Sequence, residues 1–148
     1  MGDYHRRIAT PAEVDGLFGL HCEAFREHGE KLWGPWDDDW QRDNFRRECA
    51  ESSCEVVVRG ETLLGYVQHV AEPGRLRIWN IALWAEFRGQ GIGTRIIREF
   101  QALARSRGVD LGLRVFPTNL EARRWYQRLG FRESARVATG VELLWRPT

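Results

Sequence analysis

Lysine is all but missing from these 148 residues: of 22 basic side chains only Lys31 is a lysine, and 21 acidic ones bring the formal charge to +1. So small an excess removes the electrostatic ground for holding nucleic acid or an anionic membrane, and no basic tail stands apart. The arginine bias is compositional and marks no site. Cys22, Cys49 and Cys54 are odd in number and include no Cys-x-x-Cys pair, so neither a disulfide framework nor a zinc site is indicated, and they read as three reduced thiols in a cytoplasm. No apolar run approaches the ~18 residues that span a bilayer, and the N-terminus lacks the charged-then-apolar order of a secretory leader. Gly2 fails as a myristoylation site because Arg6 stands where serine or threonine is needed. One cytoplasmic domain over residues 1–148, with no metal, is the expectation.

What the chain does have is a concentration of glycine at one place, Arg88-Gly89-Gln90-Gly91-Ile92-Gly93-Thr94. An apolar strand pattern, Leu76 to Leu83, precedes it. Ile92, Ile96, Phe100, Leu103 and Ala104 follow at helical spacing, ended by Gly108. A helix N-terminus is thereby aimed at the loop, where unpaired backbone N–H groups and the positive end of the helix dipole attract an anion. Glycine lets that anion approach without obstruction by Cβ.

Around this centre the chain reads as an ordered set of elements. Tyr4 to Ala9 makes a strand, and Thr10-Pro11 caps a helix whose buried face is Val14, Leu17, Phe18, His21 and Phe25, ending near Gly29. His21 reads as a core-facing or half-buried ring rather than a ligand. In the stretch Lys31 to Trp40, three tryptophans surround a turn and three aspartates crowd a helix start. Asp37 can cap that helix, with Asp38 and Asp39 complementing its dipole and the tryptophans pinning it to the body. Trp33, Trp36 and Asp37 could equally form a site for a cationic amine, through cation–π attraction and charge neutralisation. The second helix runs to about Ser52 with Phe45 and Cys49 inward. Strands from Cys54 to Arg59 and Thr62 to Val70 flank a Gly60-Glu61 turn, and Pro73-Gly74 leads into the organising strand. Beyond Gly108 come a buried strand at Leu111 to Val115, a helix capped by Asn119 and stopped at Gly130, and a closing hairpin from Arg132 to Arg146 about Thr139-Gly140. The order is strand, two helices, three strands, helix, strand, helix, two strands, an α/β or α+β arrangement with a mixed sheet of about seven strands and about four helices.

A P-loop would need Gly-Lys-Ser or Gly-Lys-Thr where Gly93 is followed by Thr94 and Arg95, and a dinucleotide fingerprint would need Gly-x-Gly-x-x-Gly in an early turn. Neither fits. The loop resembles the acetyl-CoA-binding motif of the GNAT family of N-acetyltransferases: Gln or Arg, two residues, Gly, one residue, Gly or Ala, with Arg88, Gly91 and Gly93 in those positions. A second family signature looks present downstream as Asn119-x-x-Ala122-x-x-x-Tyr126-x-x-x-Gly130-Phe131. The element order also matches the family fold, so the resemblance spans nearly the whole chain and is weakest from Trp33 to Ser52.

The resemblance implies acetyl transfer from acetyl-CoA to an amine of a small molecule or peptide, with no covalent enzyme intermediate. Backbone N–H groups of Arg88, Gly89, Gln90, Gly91, Ile92, Gly93 and Thr94 would hold the pyrophosphate, and pantetheine would pair with the main chain of Ile81, Ala82 and Leu83. The Leu83 N–H would take the oxyanion, Tyr126 would protonate the departing thiolate, and Asn119 and Ala122 would lie beside the cofactor. Many relatives carry a glutamate on the fourth strand; this chain has Asn80, which cannot take a proton and would instead hold a water. Glu86, His69, Glu27 and Asp37 remain as bases. A CoA-binding sensor without acceptor chemistry is the alternative, and the closing hairpin could pair with a second copy as in some relatives.

Overall fold

The computed structural model describes residues 3–148, so Gly2 lies outside the described residues. Seven strands form one mixed sheet in the order β1-β2-β3-β4-β5-β7-β6. They are β1 His5–Ile8, β2 Ser53–Arg59, β3 Thr62–Glu72, β4 Arg75–Leu83, β5 Asp110–Val115, β6 Arg132–Val137 and β7 Gly140–Trp145, and the helices are α1 Pro11–Trp33, α2 Asp38–Glu51, α3 Ile92–Arg107 and α4 Leu120–Arg128. β4 and β5 run parallel, while β1–β2, β2–β3, β5–β7 and β6–β7 are antiparallel. No described helix is long and apolar enough to cross a membrane. The chain falls into two compact units: one runs to His69 and takes in Asn80–Gly93, the other holds Val70–Trp79 and Thr94–Thr148.

In the first unit, Thr10 closes both halves of a capping box with Glu13, and Pro11 supplies its fixed φ at the first helical position. Leu17, Phe18 and Leu20 of α1 and Phe45 of α2 meet Val56, Val58 and Tyr66 of the sheet in one buried cluster. α1 runs one turn past the expected stop at Gly29 and ends at Gly34, whose φ of 89° a residue with a side chain would resist. Gly29 serves packing instead: a Cβ there would come within 2.8 Å of the Trp36 ring. Trp36 is therefore the tryptophan that fastens the α1–α2 corner. Trp33 and Trp40, expected to share that task, are 56% and 58% exposed.

In the second unit, Ile96, Ile97, Phe100 and Ala104 of α3 are buried with Leu111, Leu113, Val141 and Leu143 of the strands. Gln101, buried on the same helix, donates from Nε2 to the Leu129 carbonyl at 2.9 Å and so satisfies one of the carbonyls that α4 leaves unpaired at its end. β6 is the sheet's edge and exposed along its whole length, with Arg132, Glu133 and Arg136 guarding it.

Candidate active site

The organising loop begins where β4 ends. A short 3-10 turn, Ala85–Phe87, follows Trp84, whose N–H is held by the Leu64 carbonyl at 3.0 Å. Arg88 folds back, donating from Nε to the Leu83 carbonyl at 2.9 Å, with Nη2 3.8 Å from Glu23. Its guanidinium is thus spent on fixing the loop. Gly89 and Gly91 have φ of 74° and 81°, and nothing lies within 4 Å of where a Cβ would sit on either. Two of the three glycines therefore need the left-handed region, and they leave open space above the N-terminus of α3. The third, Gly93, is the second residue of that helix and has no such need. Arg88 to Gly91 are exposed, as backbone donors to an arriving anion must be.

Ile81, Ala82 and Leu83 lie on the strand leading to the loop. Opposite them is Gly65 of β3: a Cβ on it would fall 2.1 Å from the Ala82 carbonyl oxygen and 2.9 Å from Leu83 Cα. That glycine lets the β4 backbone press in where a side chain would hold it off. The β2–β3 register also slips between Val57 and Val58, skipping Leu64, so the end of β4 borders irregular backbone.

Asn80 is on the same strand, half-buried. Its Nδ2 donates to Gln68 Oε1 at 2.6 Å, and Gln68 Nε2 in turn donates to Cys49 Sγ at 3.2 Å. Gln68 is completely buried. Sequence reading passed over Gln68; the usable signal was one amide within an otherwise apolar strand core, Leu64 to Val67, which a buried position tolerates only if both its ends are bonded. Asn80 is thus held through Nδ2.

Of the four candidate bases, His69 is joined through Nε2 to Glu55 Oε1 at 2.7 Å, and Glu55 also takes Arg6 at 2.6 Å. The His69 bond and the Arg6 charge outweigh burial and hold the Glu55 carboxyl below its usual range. Glu27 is mostly exposed and bonded to Lys31, and Glu86 is exposed on the 3-10 turn. Asp37 accepts the Trp40 N–H at 3.1 Å as the cap of α2. Asp38 and Asp39 stand 4.0 and 3.8 Å from Arg26 and Arg42.

The second unit carries the downstream residues. Asn119 caps α4, accepting the Ala122 N–H at 3.2 Å. Thr94 Oγ1, on the first turn of α3, accepts from Trp125 Nε1 at 3.1 Å, which ties α4 to the helix that grows from the loop. Tyr126 follows Trp125, its ring 4.7 Å from that indole and edge-on to Phe131 at 5.4 Å. Burial alone pushes its phenol above the ordinary value, so the hydroxyl keeps its proton well past neutral pH.

Residues 15–131 match the acetyltransferase (GNAT) family model. An uncharacterised N-acetyltransferase of Methanocaldococcus jannaschii is 27% identical over 97% of this chain and 67% of its own, and an uncharacterised protein of Mycobacterium leprae is 30% identical over 82% and 33%. The chain thus spans about two thirds of the first relative and one third of the second. Among solved structures, the PaiA N-acetyltransferase of Thermoplasma acidophilum in complex with coenzyme A superposes with a TM-score of 0.75 at 12% identity, covering 98% of this chain and 99% of that one.

Proposed function

The chain belongs to the acetyltransferase (GNAT) family, an acyl-CoA-dependent class of enzymes, and from that premise we propose that it passes an acetyl group from acetyl-CoA directly to a primary amine in a ternary complex. The observation that carries the proposal is the Arg88 to Gly93 loop: two glycines at positive φ, clear space above them, and a helix starting at Ile92. Backbone N–H groups there bind the pyrophosphate, and the main chain of Ile81 to Leu83 lies along the pantetheine. Asn119 and Ala122 contact the cofactor.

The amine nitrogen attacks the thioester carbonyl, and the oxygen's developing charge is met by the Leu83 N–H. The collapsing intermediate expels the CoA thiolate, which takes the proton of Tyr126. Asn80 Oδ1, oriented by Gln68, accepts a hydrogen bond from the attacking amine or from a water that carries its proton away. The Tyr126 phenol carries its proton at neutral pH, as a general acid must, although burial makes it a weaker donor than a free tyrosine. For the acceptor, the exposed face of Trp33 with Trp36 and Asp37 favours a cationic amine. Three unbridged thiols suit a cytoplasmic setting, and the exposed edge β6 is the strand on which a second copy would pair.

Mixing the protein with acetyl-CoA and a panel of small amines and peptides, and following free thiol, tests this reading. Release dependent on both partners is expected. Binding of CoA without release across the panel would remove catalysis and favour a CoA-binding sensor, a reading that the amide at Asn80, in place of a proton-accepting carboxylate, already suggests.

A further inference from the structure

Two of the three cysteines meet in the first unit. Cys49, in the last turn of α2, and Cys54, second residue of β2, bring their sulfurs to 3.1 Å across the helix-to-strand turn. A disulfide bond is about 2.05 Å long, so about 1 Å of closure separates this pair from one. Both residues line a cavity of about 440 Å³, shared with Val14, Ala50 and Ser52, which offers a small reagent a way in. Arg46 and Asp15, 2.9 Å apart, form a charged part of its lining.

We propose that Cys49 and Cys54 are an oxidisable dithiol, a modification site that takes hydrogen peroxide and closes to an intramolecular disulfide. Cys49 is the attacking sulfur. It accepts from the Cys54 thiol and from Gln68 Nε2, at 3.1 and 3.2 Å, and hydrogen bonding from Cys54 favours its thiolate while Cys54 itself stays protonated. The Cys49 thiolate attacks one peroxide oxygen: an S–O bond forms, the O–O bond breaks, and the departing hydroxide takes a proton to become water. Cys54 then loses its proton and attacks Cys49 Sγ; the S–S bond forms, the S–O bond breaks, and a second water leaves. Two thiols are oxidised by two electrons and one peroxide is reduced to two waters. Cys22 takes no part: it does not line this cavity, and burial, followed by the charge of Asp38, raises its thiol. The site is independent of acetyl transfer and would stand if the enzyme reading fell.

The test uses the wild-type chain, treated with equimolar hydrogen peroxide, then denatured, alkylated with iodoacetamide and weighed intact. The expected product carries one alkyl group where the untreated protein carries three, returns to three after dithiothreitol, and yields a peptide joining residue 49 to residue 54. In Cys54→Ser, dimedone should label Cys49; in Cys49→Ser it should label nothing. Three alkyl groups after peroxide, a bridge that includes Cys22, or dimedone on Cys54 in place of Cys49 would overturn the assignment.

Discussion

Asn80 Nδ2 lies 2.6 Å from Gln68 Oε1, and this bond holds the Asn80 amide in one orientation. Changing Asn80 to Ala should lower kcat about ten-fold, at or below the low end of general acid–base contributions, with CoA affinity unchanged. Gln68→Leu should act in the same direction on kcat through the freed Asn80 side chain, and should cost about 1–3 kcal/mol of stability for the orphaned partner. Steady-state kinetics with calorimetric CoA titration separates the two effects. A fall in CoA affinity with kcat intact would mean that Asn80 serves binding.

For the loop, Gly91→Ala forces a side chain into φ 81° and should cost about 1–2 kcal/mol while raising the KM for acetyl-CoA. Gln90→Ala, which removes a side chain bonded to the Glu86 carbonyl at 3.3 Å, should leave that KM within about two-fold, the variation expected for a surface change. The contrast checks that backbone, not side chain, holds the phosphates; equal effects would speak against it.

Asn119 caps α4, and one substitution can separate that role from the proposed contact with the cofactor. Aspartate caps helices as well as asparagine does, so Asn119→Asp should keep the melting temperature, whereas Asn119→Ala should lose about 1 kcal/mol. If Asn119 also lies beside the anionic cofactor, the aspartate should weaken CoA binding by about ten-fold, equivalent to about 1.4 kcal/mol of repulsion. Unchanged CoA affinity in the aspartate variant would leave Asn119 as a cap alone.

Stability should fall on mild acidification. Burial lowers His21 to about 4 from an ordinary 6.5, and its Nδ1 is hydrogen-bonded to the Tyr66 hydroxyl at 2.8 Å. Between those values the unfolded chain binds the proton and the folded one does not, so stability present above pH about 6.5 is lost as pH drops through 4, by up to about 3 kcal/mol. Urea unfolding at several pH values between 7 and 4 measures this, and His21→Phe should flatten the slope in that window. An equal slope in both proteins would assign the effect to other groups.

Much of this arrangement was legible in the residues, for reasons that differ from place to place. Thr10 with Pro11 and Glu13, Asp37, and Asn119 announce helix starts because each side chain answers backbone donors within its own turn, a local need that spacing reveals. His21, expected to be core-facing or half-buried, is half-buried and bonded to the buried Tyr66. Gly29 misled, because a glycine required by a ring seven residues later looks the same as one that ends a helix. The exposure of Trp33 and Trp40 is hidden for a related reason: composition says that indoles gather, not which of them is buried. The bonds of Gln68 to Asn80 and Cys49 span 12 and 19 residues, and no short-range pattern encodes such a meeting, whereas the Cys49–Cys54 contact is local and depends on the angle at which α2 hands over to β2.

Tyr126 holds the central claim, since in the proposed reaction it is the acid that would protonate the thiolate of the departing donor. The direct measurement is kcat for Tyr126→Phe beside the dissociation constant for CoA, with the melting temperature as a check on folding. The account predicts a fall in kcat of about ten-fold or more with CoA affinity kept, the loss expected when a general acid is removed. A rate equal to that of the wild type would contradict it.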